Sequence, residues 1–352
     1  MNILKLSLSR KRIALILLGV IAILGGIAIF SDGEQILHVL QEANWEKVPL
    51  AFAFMALSYL LTSYSFAQVN RILGIPIGTR ELTQIGFTTT ALNHLLTTGG
   101  LAGYSLRYLL MRRRGVRMKD VMTTSILHFY LTCLIMLGML PFGLIYLILN
   151  SPIRLETSVF ISAIALVVLI LFSIATGLVF QPGMRKPILR FISKVSQSLL
   201  KKDIDWQLDQ FDISFTCGVK ELRKQPQNMS LIVGMIFGDW LASAFALWFC
   251  FDALGPPVGL GDLIAGFVIG VVAGVMSMIP GGLGIQEGSM AGIFSLLGTP
   301  FEQAILASIL FRVIYYIFPY LISLFLSWRL LNPLEDPEHP NDQEVKHANS
   351  NA

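Results

Sequence analysis

Two ionisable residues, Glu287 and Arg312, stand in runs otherwise apolar enough to enter a bilayer. A charge at that depth is costly, faces protein or water, and by default marks a functional site. Glu287 follows the break Pro280-Gly281-Gly282-Leu283-Gly284. Its carboxylate either neutralises a buried arginine or binds a substrate cation, a proton or a lipid headgroup. Arg312 lies in the middle of the last apolar run, with Tyr315 and Tyr316 at i+3 and i+4 on nearly the same face. Its rigid fork of donors suits a phosphate or a carboxylate, so it either pairs with Glu287 or captures a lipid phosphate. Arg107 follows an earlier Gly-Gly turn as Glu287 follows the later one. It either snorkels to the headgroups or reaches the same site. Asn93 and His94 come just before that turn, where they satisfy the backbone of a broken helix. A proton-carrying role is the alternative for His94. Asp239, next to Trp240, is placed at the interface or in the interior, and His128 has no partner visible in the sequence.

Other chemistries find no residues. Cys133, Cys217 and Cys250 are far apart and read as small packed residues rather than disulfide or metal ligands. The five histidines make no zinc spacing. The run from Gly282 to Gly288 has the wrong glycine spacing for a nucleotide loop and no βαβ unit around it. There is no Walker sequence and no nucleophile elbow. The expectation is a protein without cofactor, metal or nucleic-acid partner.

The elements that must position these residues are set by hydropathy. The 352 residues are 54% hydrophobic and only 14% charged, with a mean hydropathy of +0.68. Soluble domains average about 25% charged residues, so the fold class is an all-α polytopic membrane protein. Six full spans are expected, near 13–30, 48–69, 121–150, 157–180, 229–254 and 304–327, the third interrupted near Pro141. Lys5, Arg10, Lys11 and Arg12 before the first span, without a cleavage signal after it, argue for an uncleaved span with a cytoplasmic N-terminus. The connector 181–228 carries nine Lys and Arg against five Asp and Glu and is assigned to the cytoplasm. Within it, Ile188, Phe191, Ile192, Val195 and Leu199 recur as on an amphipathic surface helix, a solvated connector being the other reading. The division is a first half at 13–181, the connector at 182–228, a second half at 229–330, and a polar cytoplasmic tail at 333–352.

Two segments do not fit full spans. The stretch 82–111 is polar, with Thr88, Thr89, Thr90, Asn93, His94 and a turn at Thr97-Thr98-Gly99-Gly100. Arg71 and Arg80 flank one end, and Arg112, Arg113, Arg114, Arg117 and Lys119 the other. Both ends are therefore placed on the cytoplasmic side, and the segment enters and returns. The stretch 261–298 is two apolar arms around Pro280, with no basic residue at 252–262 or 299–303. It is placed as a hairpin from the outside. Gly266, Gly270 and Gly274 line one face of its first arm, and Gly284, Gly288 and Gly292 one face of the second, so both arms are expected to pack through glycine. The turns share Gly-Gly-Leu, at Gly99-Gly100-Leu101 and Gly281-Gly282-Leu283. Opposed hairpins of this kind are the inverted-repeat architecture of transporters, with a site where the repeats meet.

From Pro280 to Gly288, the sequence resembles the flippase-like membrane domain of the lysyl-phosphatidylglycerol synthase family. The resemblance extends to Asn93, Gly99-Gly100-Leu101-Ala102-Gly103, Arg107 and Arg312, and covers about residues 10 to 330. It implies movement of an aminoacylated phospholipid between leaflets. The first turn lacks the proline often found in the family, and the sequence after Arg329 leaves no room for a soluble aminoacyltransferase domain, so it resembles the stand-alone members and lysine transfer is not inferred. The expectation is a lipid translocase of the cell membrane, moving a phospholipid or polyprenyl-phosphate-type lipid. Substrate contacts fall to Glu287, Arg312, Arg107 and Asn93, and the turns to Gly99, Gly100, Pro280, Gly281, Gly282 and Gly284. A membrane-embedded enzyme acting on such lipids, and a structural or regulatory membrane protein, remain the rival readings.

Overall fold

Among the described residues of the computed structural model, four helical stretches are individually long and apolar enough to cross a bilayer: Trp45–Ile72, Met118–Asn150, Pro226–Leu254 and Phe301–Leu331. The structure describes residues 33–96, 101–152, 155–197 and 205–331. The expected first span at 13–30, the turn at 97–100 with Gly99 and Gly100, Leu199 and the tail at 333–352 lie outside the described residues. Among the described residues all regular structure is helical. In chain order the helices are α1 Gly33–Gln41, α2 Val48–Ile72, α3 Thr79–Leu96, α4 Leu101–Arg112, α5 Met118–Asn150, α6 Leu155–Phe180, α7 Pro182–Val195, α8 Asp205–Lys224, α9 Pro226–Leu254, α10 Leu260–Met276, α11 Ile285–Leu296, α12 Phe301–Arg312 and α13 Phe318–Leu331. A π-helical turn, Val313–Ile317, joins α12 to α13.

The spine of the molecule is α2 packed antiparallel on α9. Lys47 pairs with Asp252 at 3.1 Å at one end, and Ser58 meets Ser243 at 3.1 Å in the middle. Lipid gives apolar helices no hydrophobic reason to associate, so close packing of small residues and interhelical hydrogen bonds must hold them. The sequence supplies both. Ala51, Ser58, Ser63, Ser65 and Ala67 are buried on α2, and Ala242, Ser243, Ala244 and Ala246 on α9.

The helices α3 and α4 form the first hairpin. Asn93 faces Gly103 and Thr89 faces Arg107, so numbers fall along one arm as they rise along the other. A side chain at Gly103 would overlap the Thr89 carbonyl, which explains the glycine there. The helices α10 and α11 form the second hairpin, with Gly266 against Phe294, Gly270 against Met290 and Gly274 against Gln286. This bears out the glycine face of the first arm and corrects that of the second. Space is open beside Gly288 and Gly292, and Gly284 lies in the break. One arm provides a glycine notch every four residues, and the other fills it with large side chains. The break itself needs left-handed backbone, with φ of 63° at Gly281 and 81° at Gly284.

Both hairpins are referenced to the last span, which makes their opposed sense visible. Arg113 donates to the carbonyl of Leu331 at 2.7 Å, so the base of the first hairpin sits at the span's C-terminal end. Gln303 donates to the carbonyl of Pro256 at 2.9 Å, and α11 leads directly into α12, so the base of the second sits at its N-terminal end. The end of α3 and the start of α11 both reach its middle. His94 lies against Tyr315 and Tyr316, with ring centroids 5.7 and 5.5 Å apart, and the Tyr316 hydroxyl donates to Gln286 Oε1 at 2.9 Å. The arms α4 and α11 have 12 residues each, about 18 Å of helix, against about 30 Å of hydrocarbon.

Of two expectations about the remaining helices, one is modified and one is met. The helix α5 continues through Pro141 rather than breaking there. Its neighbours make this possible, since membrane helices tolerate proline where packing re-satisfies the backbone. The predicted span at 157–180 coincides with the 26-residue apolar helix α6, and α7 turns away from its end by 96°. Arg185 holds that bend, donating to the Val179 carbonyl at 2.8 Å, Asp212 at 2.7 Å and Thr216 Oγ1 at 2.6 Å. The bend leaves Ile188, Phe191, Ile192 and Val195 exposed on α7, the disposition of an interfacial amphipathic helix.

Candidate functional site

The second break and the last span bring Glu287 and Arg312 together. Glu287 is the third residue of α11, where the helix dipole favours a negative charge. The Gly284 N–H donates to its Oε2 at 2.8 Å, and Arg312 Nε donates to its Oε1. Arg312 Nη1 donates to the Gly281 carbonyl at 2.8 Å, so the arginine holds the broken backbone as well as the carboxylate. Its guanidinium lies over the Tyr316 ring, 4.7 Å from the centroid. Glu287 is 2% exposed and Arg312 6%, so the pair is closed to its surroundings. Arg312 Nη2 is different: it is buried and has no hydrogen-bond partner among the described residues. An unmatched donor on a buried cation is rare and asks for an explanation.

Arg107 is also buried, at 3% exposed, which removes the snorkelling reading. It lies over the Phe66 ring at 4.0 Å, and Nε and Nη2 donate to Thr89 Oγ1 at 3.2 and 3.0 Å. Among the described residues it has no carboxylate partner. His128, on α5, makes a 2.8 Å contact from Nε2 to Ser65 Oγ. Asn93 Oδ1 accepts from the Gly103 N–H at 2.8 Å and so ties the two arms of the first hairpin. The structure thus joins Glu287 with Arg312 and leaves Arg107 and Asn93 in the first hairpin.

Sequence reasoning left Asp239 undecided, passed over Ser58 and Ser243, and did not connect Tyr315 to it. It is buried, and Ser58, Ser243 and Tyr315 gather around it from α2, α9 and the last span. The π-helical turn is what lets consecutive Tyr315 and Tyr316 both point inward, one to Asp239's cluster and the other to Arg312. Such turns concentrate at functional sites. Two adjacent tyrosines three and four residues after an intramembrane arginine were the available signal.

Residues 15–323 match the family described as the lysylphosphatidylglycerol synthase TM region. The chain belongs to this family. A UPF0104 membrane protein of Methanothermobacter thermautotrophicus is 24% identical over 342 residues, covering 90% of this chain and 92% of that one. The phosphatidylglycerol lysyltransferases of Staphylococcus aureus strains COL and MSSA476 are each 38% identical over 89 residues. Those matches cover 25% of this chain and 11% of each enzyme. The protein is therefore a multi-pass helical membrane protein of this family, similar along most of its length to another membrane protein.

Proposed function

We propose that the protein is a lipid translocase that carries an anionic or zwitterionic phosphate-bearing lipid between leaflets. The observation that carries this is the unmatched, buried Nη2 of Arg312 beside a broken, glycine-notched hairpin. A phosphate oxygen satisfies that donor, and the guanidinium fork suits phosphate. In this reading a headgroup amine competes with Arg312 for Glu287, and a phosphate competes with Glu287 for Arg312. Half-helices whose inner ends approach mid-span supply a polar point inside the membrane, as at the sites of inverted-repeat transporters. An open, mostly apolar groove along α10 and α11, running from Ala273 and Ser289 to Leu296 and Phe301, gives an acyl chain a place to lie along the hairpin. Membership of a family named for a lipid synthase, and local similarity to enzymes named for phosphatidylglycerol, agree with a phospholipid substrate.

The test is a leaflet-exchange assay with fluorescent phosphatidylglycerol in proteoliposomes, run on Glu287→Gln, Arg312→Gln and the double variant. Removing one member of a buried pair typically costs about 3–5 kcal/mol, because the other charge is left alone. The double variant removes both charges and should regain thermal stability. On the lipid reading it folds and remains inactive. A double variant that folds and exchanges lipid at the wild-type rate would reduce the pair to a structural one.

A further inference from the structure

Asp239 sits near the midpoint of the 29-residue α9, at membrane depth, with no cation beside it. Among the described residues no ion pair reaches it. Hydroxyls surround it instead. Ser58 Oγ donates to its Oδ1, and Ser243 Oγ donates to its backbone carbonyl at 2.8 Å. The Tyr315 hydroxyl lies 2.5 Å from Ser58 Oγ and 2.6 Å from Ser243 Oγ, and the two serine oxygens are 3.1 Å apart. The titratable groups facing it are Tyr315 from the last span and Tyr59 from α2, with Thr62 also beside it. The helices α5, α8 and α10, which also pack on α9, contribute no ion-pairing partner to it among the described residues.

We propose that the cluster of Ser58, Asp239, Ser243 and Tyr315 is a proton-binding site that couples lipid movement to the transmembrane proton gradient. The hydrogen-bond count supports it, because the cluster is complete in both charge states. With the carboxylate ionised, Ser58 donates to Asp239, Tyr315 to Ser58, and Ser243 to the Asp239 carbonyl. With one proton added, Asp239 donates to Ser58, Ser58 to Tyr315, Tyr315 to Ser243, and Ser243 still to the carbonyl. Each proton finds an acceptor, and only the direction of the chain reverses. A purely structural role would be met by an amide, without the cost of a carboxylate at this depth. A metal ion is disfavoured by the same distances, since oxygens in hydrogen-bonding contact leave no room between them.

The cluster is wired to the lipid site. Tyr315 and Tyr316 share the π-helical turn, and Tyr316 carries the Arg312 guanidinium and bonds Gln286. The Tyr59 hydroxyl donates to the Tyr315 carbonyl at 2.9 Å and meets His94 Nδ1 at 2.9 Å, which extends the connection to α3 of the first hairpin. Reversing the Ser58–Tyr315 hydrogen bond therefore acts on the turn that holds Arg312. What is coupled rests on the lipid reading above; the proton site does not.

Two measurements on the full chain separate the two. Infrared difference spectra in nanodiscs of phosphatidylethanolamine and phosphatidylglycerol should show a protonated-carboxyl band that titrates with pH. It should be lost in Asp239→Asn, shifted in midpoint in Ser58→Ala and Tyr315→Phe, and unchanged when sodium replaces potassium. In proteoliposomes, a gradient of about one pH unit should bias fluorescent phosphatidylglycerol between leaflets by about tenfold for one proton per lipid. A protonophore should abolish the bias. Asp239→Asn should exchange lipid but show no bias. A band surviving in Asp239→Asn or missing from the wild type, a bias retained in that variant, or a bias driven by sodium alone overturns the proposal. A titrating band in a wild-type protein that exchanges no lipid overturns the lipid reading and leaves the proton site standing.

Discussion

Arg107 tests what a buried charge is for. It has an aromatic ring beneath it and a threonine hydroxyl beside it, and no acid to balance it among the described residues. A charge so placed contributes little to stability that an apolar side chain of similar volume would not, and replacing buried charges with such residues is often neutral or stabilising. Arg107→Met is therefore expected to melt within about 1 kcal/mol of the wild type or above it, while losing lipid exchange. Arg107→Lys should also fold and be impaired, because an ammonium cannot reproduce the planar contact with Phe66 and the two donors to Thr89. Detergent melting curves and the exchange assay check both, and full activity in Arg107→Met would confine Arg107 to a packing role in the first hairpin. Glu287 and Arg312 were legible in the sequence because a charge in an apolar run is costly and must have a reason. The cluster around Asp239 was not. Serine and tyrosine occur freely in membrane helices, and Ser58 and Asp239 are 181 positions apart, joined only by the packing of α2 on α9.

The second hairpin shows how far periodicity reaches at the scale of an element. A glycine every four residues identifies a face, but not what fills it. On α10 that face receives Gln286, Met290 and Phe294; on α11 the glycines face away from the partner arm. Identical spacing thus has two outcomes, decided by which arm carries the large residues opposite. The consequence is an asymmetry between variants. Gly270→Leu places its side chain into Met290 and is expected to cost about 1–3 kcal/mol or more, as overpacking does. Gly288→Leu meets open space and should leave the fold intact. Equal loss of folded protein from the two, measured by size-exclusion profile and melting temperature, would contradict this packing. Gly288→Leu is also informative for function, since bulk added one residue after Glu287 narrows the approach to the break without loading the hairpin interface.

At the scale of the whole molecule, the charge pattern and the contacts group the same segments at the same ends. One end gathers Glu81 with Arg114, the Leu331 carbonyl with Arg113, and α8 packed against Leu73 and Thr123. The other gathers Lys47 with Asp252 and Gln303 with Pro256. Positive residues are concentrated at the first end, and the positive-inside rule assigns it to the cytoplasm. The bend into α7 and the unbroken passage of α5 through Pro141 were less legible, because both depend on neighbours rather than on local composition. The grouping makes a demanding prediction about sidedness. Cysteines replacing Arg71 and Arg117 bracket the first hairpin, and both should resist a membrane-impermeant maleimide in intact cells and react after permeabilisation. Cysteines replacing Gly259 and Thr299 bracket the second, and both should react in intact cells. A hairpin that returns to its own side leaves its two flanks in one compartment, whereas a crossing segment separates them. Labelling of Arg71→Cys and Arg117→Cys from opposite sides would turn the first hairpin into a span. Its tip would then no longer stop at mid-membrane, and the meeting of His94, Tyr316 and Gln286 at the middle of the last span would lose its mechanical meaning. Uniform labelling on one side for each pair, with the two pairs opposite, is the outcome that two half-membrane hairpins closing on Glu287 and Arg312 require.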